Sequence, residues 1–165
     1  MGALAAPKGY KRCLSGSFNP RNPKKYKGDP RKIYYRSSYE LEFMKFCDSN
    51  PNVLMWSSEE IYIPYVSPID KQLHKYYPDF LIKVKNIDKS EDIILIEIKP
   101  FSQTRKPINK KKGKPSKRLI NEHATYMVNT AKWRAASEWC KQRNITFKIV
   151  TEKEIFKDGK RTDKR

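Results

Sequence analysis

The sequence has few of the residues that cross-link small domains or coordinate structural zinc. Its three cysteines, Cys13, Cys47 and Cys140, are odd in number and widely spaced, and no CxxC pair is present. Its two histidines, His74 and His123, do not stand at the spacing of zinc ligands. A disulfide framework and a zinc module are therefore both disfavoured, and reduced thiols in a reducing compartment are expected.

Long apolar runs are also absent. No stretch approaches the roughly 20 apolar residues that a membrane-spanning helix needs, and the apolar residues 1–7 are too few for the core of a secretory signal. We therefore expect an intracellular protein that does not insert into a membrane. The 165 residues, of which 38% are hydrophobic and 12% aromatic, suffice for one domain with a single core.

Acidic residues are scarce, because 18 Asp and Glu stand against 36 Lys and Arg, which gives a net charge of +18. Residues 7–36 carry 10 basic and one acidic residue, residues 37–98 carry 6 basic and 11 acidic, and residues 99–118 carry 9 basic and no acidic residues. An acidic centre between basic flanks favours a polyanionic partner at the edges and bound cations in the middle. Solvated surface charge around an ordinary core is the weaker alternative.

Proline, glycine and hydrophobic periodicity divide the chain into three parts. We predict a basic extended N-terminal arm at residues 1–31, a core at 32–156 with a basic Lys/Pro-rich loop at 100–118, and a polar tail at 157–165. The core is predicted to be α/β, with a central mixed sheet flanked by helices. Its predicted helices cover residues 37–49 and 119–143, and its predicted strands cover 53–56, 61–66, 76–84, 92–99 and 145–150.

Two acidic residues and a lysine interrupt the apolar strands of a predicted hairpin. Residues two apart on a strand share a face, so Glu97 and Lys99 point to the same side. If Lys85 pairs near Asp92, then Asp79 falls opposite Glu97 or within one position of it. Directly opposed side chains have Cβ atoms about 5 Å apart, and two carboxylates so close repel each other unless a cation lies between them.

Magnesium suits such a pair, because it takes one or two carboxylates and completes its octahedron with water and phosphate oxygens. A lysine beside the pair can orient an attacking water and stabilise the charge that develops on a phosphate. The residues Asp79, Glu97 and Lys99 therefore predict a catalytic site for phosphodiester hydrolysis. The alternative is a turn residue followed by a solvated strand face.

Glu40 has two interpretations. With Ser37 three residues earlier, it fits a capping box at the start of the first helix. It also stands at i, i+3, i+4 and i+7 spacing with Phe43, Met44 and Cys47, which places it on the buried face. A buried carboxylate needs a partner or a metal ion, and we favour the metal.

Two further residues are weaker candidates for a supporting role. Glu60 precedes a strand that enters the same region, and a solvated strand end is an equally good interpretation of it. Lys132 lies on the long helix and could contact a phosphate or a metal-bound water, although helical lysines commonly cover apolar surface with their stems.

The sequence Pro78-Asp79, followed by Glu97-Ile98-Lys99 and preceded by helical Glu40, resembles the PD-(D/E)XK nuclease superfamily. The resemblance implies a restriction-endonuclease-like core in which Glu40, Asp79 and Glu97 bind Mg²⁺, with Mn²⁺ as a substitute. It also implies that Lys99 assists the attacking water, and that all four residues are catalytic. The implied activity is endonucleolytic cleavage of DNA that leaves a 3′-hydroxyl and a 5′-phosphate.

Two groups within that superfamily share longer patterns with the chain. Residues 35–40 and 58–65 resemble the endonuclease subunit of heteromeric transposases and also the head-completion nuclease of contractile-tailed bacteriophages. The phage group matches more of the chain, including residues 22–30, 67–70, 129–133 and 147–152. It implies a virion-assembly protein that processes packaged DNA, with phage head, portal or neck proteins as partners. The implied location is the host-cell cytoplasm during assembly, with or without retention in the virion.

Two alternatives to that function remain open. One is a transposase-type endonuclease subunit, and the other is a structural head or neck protein that binds DNA but cuts it little. In each case the partner is DNA, and we expect basic residues to contact its phosphates. These residues are Arg36, Arg105, Lys106, Lys110, Lys111, Lys112, Lys114, Lys117 and Arg118.

Overall fold

The computed structural model describes residues 14–110 and 113–156. Besides short 3₁₀ turns at Pro23–Lys25 and Phe101–Gln103, this part of the chain contains eight strands and three α-helices. They are β1 (Gly16–Ser17), β2 (Tyr34–Tyr35), α1 (Ser38–Ser49), β3 (Val53–Ser58), β4 (Ile63–Val66), β5 (Leu73–Tyr76), β6 (Phe80–Lys85), β7 (Glu91–Ile98), α2 (Lys117–Lys141), β8 (Thr146–Val150) and α3 (Glu152–Ile155).

A four-stranded sheet with the order β3-β6-β7-β8 forms the centre of the molecule. Strand β6 pairs antiparallel with both β3 and β7, whereas β8 pairs parallel with β7 after the crossover through α2. Consecutive strands joined by short loops pair antiparallel, and a parallel pair needs a longer crossover that a helix commonly supplies. The predicted α/β class with a central mixed sheet flanked by helices is confirmed.

One face of the sheet packs against α1. Phe43, Met44 and Cys47 lie on the buried side of this helix, in one apolar cluster with Trp56 and Phe80 of the sheet. The helix begins after Ser37, whose side chain accepts a hydrogen bond from the backbone N–H of Glu40. The residues that β7 contributes to this face are Ile96 and Ile98.

The opposite face packs against α2 and against the hairpin formed by β4 and β5. Ala136 and Cys140 of the helix share a second buried cluster with Leu95 of β7 and with Tyr65 and Tyr76 of the hairpin. Because side chains alternate along a strand, Glu97 lies on the same face as Leu95. The sheet therefore directs Glu97 towards α2 and the hairpin, away from α1.

The single strand predicted for residues 76–84 was wrong, because the structure divides it. Tyr76 ends β5, which pairs with β4, and Phe80 begins β6 in the central sheet. Pro78 lies between them and has no N–H to donate to a strand ladder. The break places Asp79 immediately before the first residue of a central strand.

The described part of the predicted N-terminal arm, residues 14–31, packs against the core instead of extending away from it. The buried carboxylate of Asp48 in α1 accepts hydrogen bonds from the backbone N–H groups of Arg21, at 2.8 Å, and Asn22, at 3.0 Å. Tyr26 is only 7% exposed, and its ring meets that of Trp56 edge to face. Residues 1–13 of the arm and the tail predicted for 157–165 lie outside the described residues.

The basic loop predicted for residues 100–118 is shorter in the structure at both ends. A 3₁₀ turn at Phe101–Gln103 begins it, and α2 starts at Lys117, where the Ser116 side chain caps the helix by accepting from the N–H of Leu119. The helix ends at Lys141, two residues earlier than predicted, and Asn144 adopts the left-handed conformation beyond it. Helix α3 was not predicted.

Cys47 of α1 and Cys140 of α2 are buried free cysteines. Cys13 lies outside the described residues. Within residues 14–110 and 113–156, no helix is both long and apolar enough to cross a membrane.

Candidate active site

The centre of the site is a facing pair of carboxylates at one end of the β6–β7 hairpin. Phe80 pairs with Ile96, so the next position along each strand sets Asp79 opposite Glu97. Asp79 is fixed there, because its Oδ2 accepts a hydrogen bond of 2.6 Å from the backbone N–H of Ile98. Burial raises the pKa of Asp79 well above its usual range, and the negative charge of Glu97 raises it further.

Each oxygen of Glu97 has a separate partner. The hydroxyl of Tyr76 donates to Oε2 at 2.6 Å, and the ammonium of Lys99 lies 3.0 Å from Oε1. The side chain of Glu97 is only 4% exposed and that of Lys99 is 25% exposed. The carboxylate is therefore held between a neutral donor and a cation that solvent can still reach.

The protonation of these two partners follows from their surroundings. Burial lowers the pKa of Lys99, but the charges of Glu97 and Asp79 outweigh that effect, so the net shift is upward and the ammonium form is favoured. Burial raises the pKa of Tyr76 well above its ordinary value, and the charge of Glu97 adds to the shift. Tyr76 is thus a neutral hydroxyl donor at physiological pH.

Glu40 lies at the start of α1, on the edge of this site. Its Oε2 accepts from the backbone N–H of Arg36 at 2.8 Å, and its Oε1 accepts from the Ser37 hydroxyl at 3.0 Å. Its charge contributes to the upward shifts in the pKa values of Asp79 and Lys99. Only half of the predicted capping box is present, because Ser37 caps the Glu40 N–H while the Glu40 carboxylate binds the N–H of Arg36 instead of that of Ser37. Glu40 also acts electrostatically on Asp79.

Arg36 belongs to the same edge. Its guanidinium forms an ion pair with Glu59, which precedes β4 with a φ of 54°. The backbone N–H of Glu59 in turn donates to the carbonyl of Asp79 at 3.1 Å. The hydrogen bond to Glu59 raises the pKa of Arg36. The guanidinium also lies close enough to the carboxylates of Glu40 and Asp79 for their charges to help raise its pKa.

The donor set can be compared with the needs of a metal ion. Among residues 14–110 and 113–156, no group of three or more His, Cys, Asp or Glu side chains is arranged to hold a metal. The pair Asp79 and Glu97 does fit Mg²⁺, which needs only one or two carboxylates beside water and substrate oxygens. Their mutual repulsion, expressed in the raised pKa of Asp79, is what a divalent cation would relieve. The third ligand, Glu40, stays a prediction.

The two weaker candidates have partners in different places. Glu60 is exposed and accepts a hydrogen bond of 3.2 Å from the hydroxyl of Tyr26, so it contacts the N-terminal segment. Lys132 reaches the site from α2, with its ammonium 5.6 Å from the ring centre of Tyr76 and 5.7 Å from that of Tyr65. Lys132 therefore contacts the ring of Tyr76, the residue that donates to Glu97.

Tyr76 is the site residue that sequence reasoning missed. It was placed inside a single long strand, where its side chain would simply alternate with its neighbours. The available signal was Pro78, since a proline inside a strand pattern argues for a break or an edge. A break there would have assigned Tyr76 to a separate hairpin that can pack over Glu97.

A basic groove of about 880 Å³ lies between the loop after Lys99 and helix α2. It is lined by four of the residues predicted to bind DNA, and Lys111 and Lys112 lie outside the described residues. Lys114 and Lys117 are exposed near the start of α2. The basic residues that line the groove are Arg105, Lys106, Lys110 and Arg118.

A mixed four-stranded sheet with helices on both faces, carrying Pro-Asp at the start of one strand and Glu-x-Lys at the end of its neighbour, defines the class. It is a nuclease core of the PD-(D/E)XK, restriction-endonuclease-like type. A family model described as "TnsA-like endonuclease N terminal" matches residues 50–152. The chain belongs to this endonuclease family.

The similarity to a known protein extends further along the chain than the family model. The head completion nuclease of Enterobacteria phage T4 is 39% identical over 147 residues, which cover 85% of this chain and 92% of that protein. The phage group named by the sequence resemblance is thus represented among the matches. Nucleases of this kind usually use a divalent metal ion.

Proposed function

We propose that the protein is a Mg²⁺-dependent DNA endonuclease. The observation that supports this proposal is the pair of facing carboxylates, buried Glu97 and half-buried Asp79, with the Lys99 ammonium 3.0 Å from Glu97. Asp79 and Glu97 would hold the metal, and Glu40 is the proposed third ligand. When bound, the metal supplies a Lewis acid that neutralises phosphate charge and lowers the pKa of a bound water. Mn²⁺ is the proposed substitute.

The protein's own groups perform the remaining tasks. Lys99 orients the attacking water through an N–H donor and, as the water oxygen bonds to phosphorus, stabilises the growing charge on the phosphate oxygens. The attacking water gives up one proton to solvent, the bond between phosphorus and the 3′-oxygen breaks, and that oxygen takes up a proton from solvent, so that one water molecule is consumed. The products are a 3′-hydroxyl and a 5′-phosphate. Without a cation between the two carboxylates the protonated form of Asp79 is favoured, because burial and the charge of Glu97 raise its pKa.

The biological setting that we propose is phage head completion or the processing of packaged DNA. The name of the T4 relative and the extent of the match support it. Phage head, portal or neck proteins are then the proposed partners beside DNA. The proposed location is the host-cell cytoplasm during assembly, and retention in the virion is compatible with it.

Two alternative functions share part of this support. The match to the TnsA-like family would equally suit the endonuclease subunit of a transposase. A structural head or neck protein that binds DNA without cutting it would not need Asp79, Glu97 and Lys99 to be assembled around a buried site. The presence of all three favours cleavage over binding alone.

The proposed activity can be tested with supercoiled plasmid DNA. We expect purified protein to nick or linearise the plasmid with Mg²⁺ and to leave it intact with EDTA, and end-labelling should find 5′-phosphates. Retarded but uncut plasmid under every metal condition would instead support the structural DNA-binding alternative.

We further propose that the basic groove contacts the DNA backbone. Replacing Arg105, Lys106 and Lys110 by Ser should weaken binding to all sequences about equally, because phosphate contacts carry no sequence information. In a plot of the logarithm of the DNA-binding constant against the logarithm of the salt concentration, the slope should become less negative by about 0.9 for each lost contact to a duplex phosphate. Fluorescence anisotropy across a salt series measures both effects.

The control variant lowers the net charge by the same three units elsewhere. It replaces three exposed lysines outside the groove and should keep the wild-type salt dependence, which separates local contacts from the general field of the protein. If both variants lose affinity equally, the groove has no special role, and if neither does, it is not a DNA contact. The control residues are Lys85, Lys141 and Lys148.

A further inference from the structure

Tyr76 is a buried tyrosine whose hydroxyl is hydrogen-bonded to a carboxylate of the site. It is 3% exposed, ends β5, and pairs with Ile63 across the hairpin. Its hydroxyl makes a buried hydrogen bond of 2.6 Å to Glu97, although the two residues are 21 positions apart in the chain. The β4–β5 hairpin thus places the neutral hydroxyl of Tyr76 next to the carboxylate of Glu97 in the central sheet.

That donor and Lys99 together fix the plane of the Glu97 carboxylate. Tyr76 holds Oε2 and Lys99 holds Oε1, so rotation about the last side-chain bond would break one contact or the other. A phenol brings no charge, and therefore it orients the carboxylate without neutralising it. Lys99 alone could not do this, because an ammonium that compensates Glu97 competes with any other cation for the same oxygen.

We infer that Tyr76 is a positioning residue, which holds Glu97 in the orientation needed to bind a divalent cation together with Asp79. The inference rests on the proposed function and extends it to a residue outside the Pro-Asp and Glu-x-Lys motifs. Groups that hydrogen-bond to metal-binding carboxylates raise metal affinity by orienting the ligand, and their removal typically costs 10- to 100-fold in affinity or activity.

Lys132 of α2 contacts the ring of Tyr76 and helps to hold it in place. Its ammonium lies over the rings of both Tyr76 and Tyr65, and this places a cation against the face of the phenol that donates to Glu97. Tyr65 shares the lysine but lies at a different position of the hairpin, paired with His74. Tyr65 is therefore a suitable control for Tyr76, because both rings contact Lys132 and Tyr76 is the one whose hydroxyl donates to Glu97.

The test compares Tyr76→Phe with Tyr65→Phe. Each removes one hydroxyl from a buried ring beneath Lys132. Mn²⁺ binding without DNA, followed by electron paramagnetic resonance, gives the metal affinity directly. Plasmid cleavage across a Mg²⁺ series gives the half-maximal metal concentration. We expect Tyr76→Phe to lower the Mn²⁺ affinity and to raise the half-maximal Mg²⁺ concentration, each by about 10-fold or more. In Tyr65→Phe both quantities should stay within about twofold of wild type. DNA binding in EDTA should be unchanged in both variants.

Wild-type metal binding by Tyr76→Phe would overturn the inference, as would equal losses in the two variants. If Tyr76→Phe fails to fold, 4-aminophenylalanine at position 76 keeps a ring donor of similar size. That protein should need no more than about three times the wild-type metal concentration, and a 10-fold increase would contradict the inference. A wild-type protein that neither binds Mn²⁺ nor cleaves DNA would refute the proposed function itself.

Discussion

Asp79→Asn and Glu97→Gln are each expected to reduce cleavage at least about 10³-fold. Each change removes one of the two facing charges that would hold the metal. Metal coordination supplies several kcal/mol of charge stabilisation in the transition state, and about 1.4 kcal/mol corresponds to a factor of ten in rate. Single-turnover plasmid cleavage at saturating protein and Mg²⁺ measures the loss.

The other end of the same strand offers a matched control. Glu91 lies on the same face of β7 as Glu97, is exposed, and forms an ion pair with Lys83 of the neighbouring strand. Glu91→Gln therefore removes the same charge from a glutamate–lysine pair outside the site, and should cut at the wild-type rate. Near wild-type cleavage by Asp79→Asn or Glu97→Gln would refute the assignment of the active site.

Stability without metal should change in the opposite direction to activity. The pKa of Asp79 is higher in the folded protein than in the unfolded chain, so its protonated form favours folding. That contribution is complete below about pH 4, the ordinary range of an aspartate, and is lost as the pH rises through the raised value. Asp79→Asn should therefore melt above wild type in EDTA at pH 7.5, with the difference shrinking at pH 3.5.

Metal should reverse the order of stability. A ligand that binds only the folded state stabilises it, so Mg²⁺ or Mn²⁺ should raise the melting temperature of wild type but not that of Asp79→Asn. Scanning calorimetry with and without metal reports this independently of cleavage. A variant that is less stable than wild type under every condition would show that Asp79 is a structural residue.

The residues of the central pair could be predicted from sequence because their placement depends on a local hairpin. Alternation along β7 puts Glu97 and Lys99 on one face, and hairpin pairing brings Asp79 opposite Glu97. Both rules work within a segment of about 20 residues. Two of the three pairings in the mixed sheet follow from similar rules, since the short loop gives the antiparallel β6–β7 pair and the long helix gives the parallel β7–β8 pair.

What the sequence could not supply depends on contacts between distant elements. Tyr76 reaches Glu97 only because the β4–β5 hairpin separates from the sheet and packs against α2. Residues 14–31 look like a solvated arm by composition, yet Asp48 of α1 holds two of their backbone N–H groups. A buried acceptor of this kind is invisible in a helical pattern, where Asp48 stands next to the apolar Cys47.

Lys132 shows how a helical lysine can be interpreted too narrowly. Contact with a phosphate, contact with a metal-bound water and coverage of apolar surface were the three roles considered for it. In the structure its ammonium lies over two tyrosine rings, a contact that needs the β4–β5 hairpin on one side and the helix on the other. Such cation–aromatic contacts have no fixed sequence spacing, and therefore no pattern along the chain predicts this one.

Lys99→Met is expected to lower the rate of cleavage about 10²- to 10³-fold, the usual cost of losing one donor to developing charge. DNA affinity should change little, because one phosphate contact among many contributes modestly to binding. The matched control is Lys83→Met, which removes the lysine from the Lys83–Glu91 pair at the far end of the hairpin and should cut normally. Single-turnover rates and anisotropy titrations separate the two quantities.

The metal dependence distinguishes the role of Lys99 from that of the carboxylates. Its ammonium lies 3.0 Å from Oε1 of Glu97, so a divalent cation that binds this oxygen must share or displace that contact. Removing the ammonium should therefore leave the half-maximal Mg²⁺ concentration unchanged or lower it, even as the maximal rate falls. A variant restored to wild-type rate by excess Mg²⁺ would instead mean that Lys99 only helps to assemble the metal site. Equal losses in rate and in DNA affinity would make it a phosphate anchor, because catalysis depends on stabilising the transition state more than the ground state.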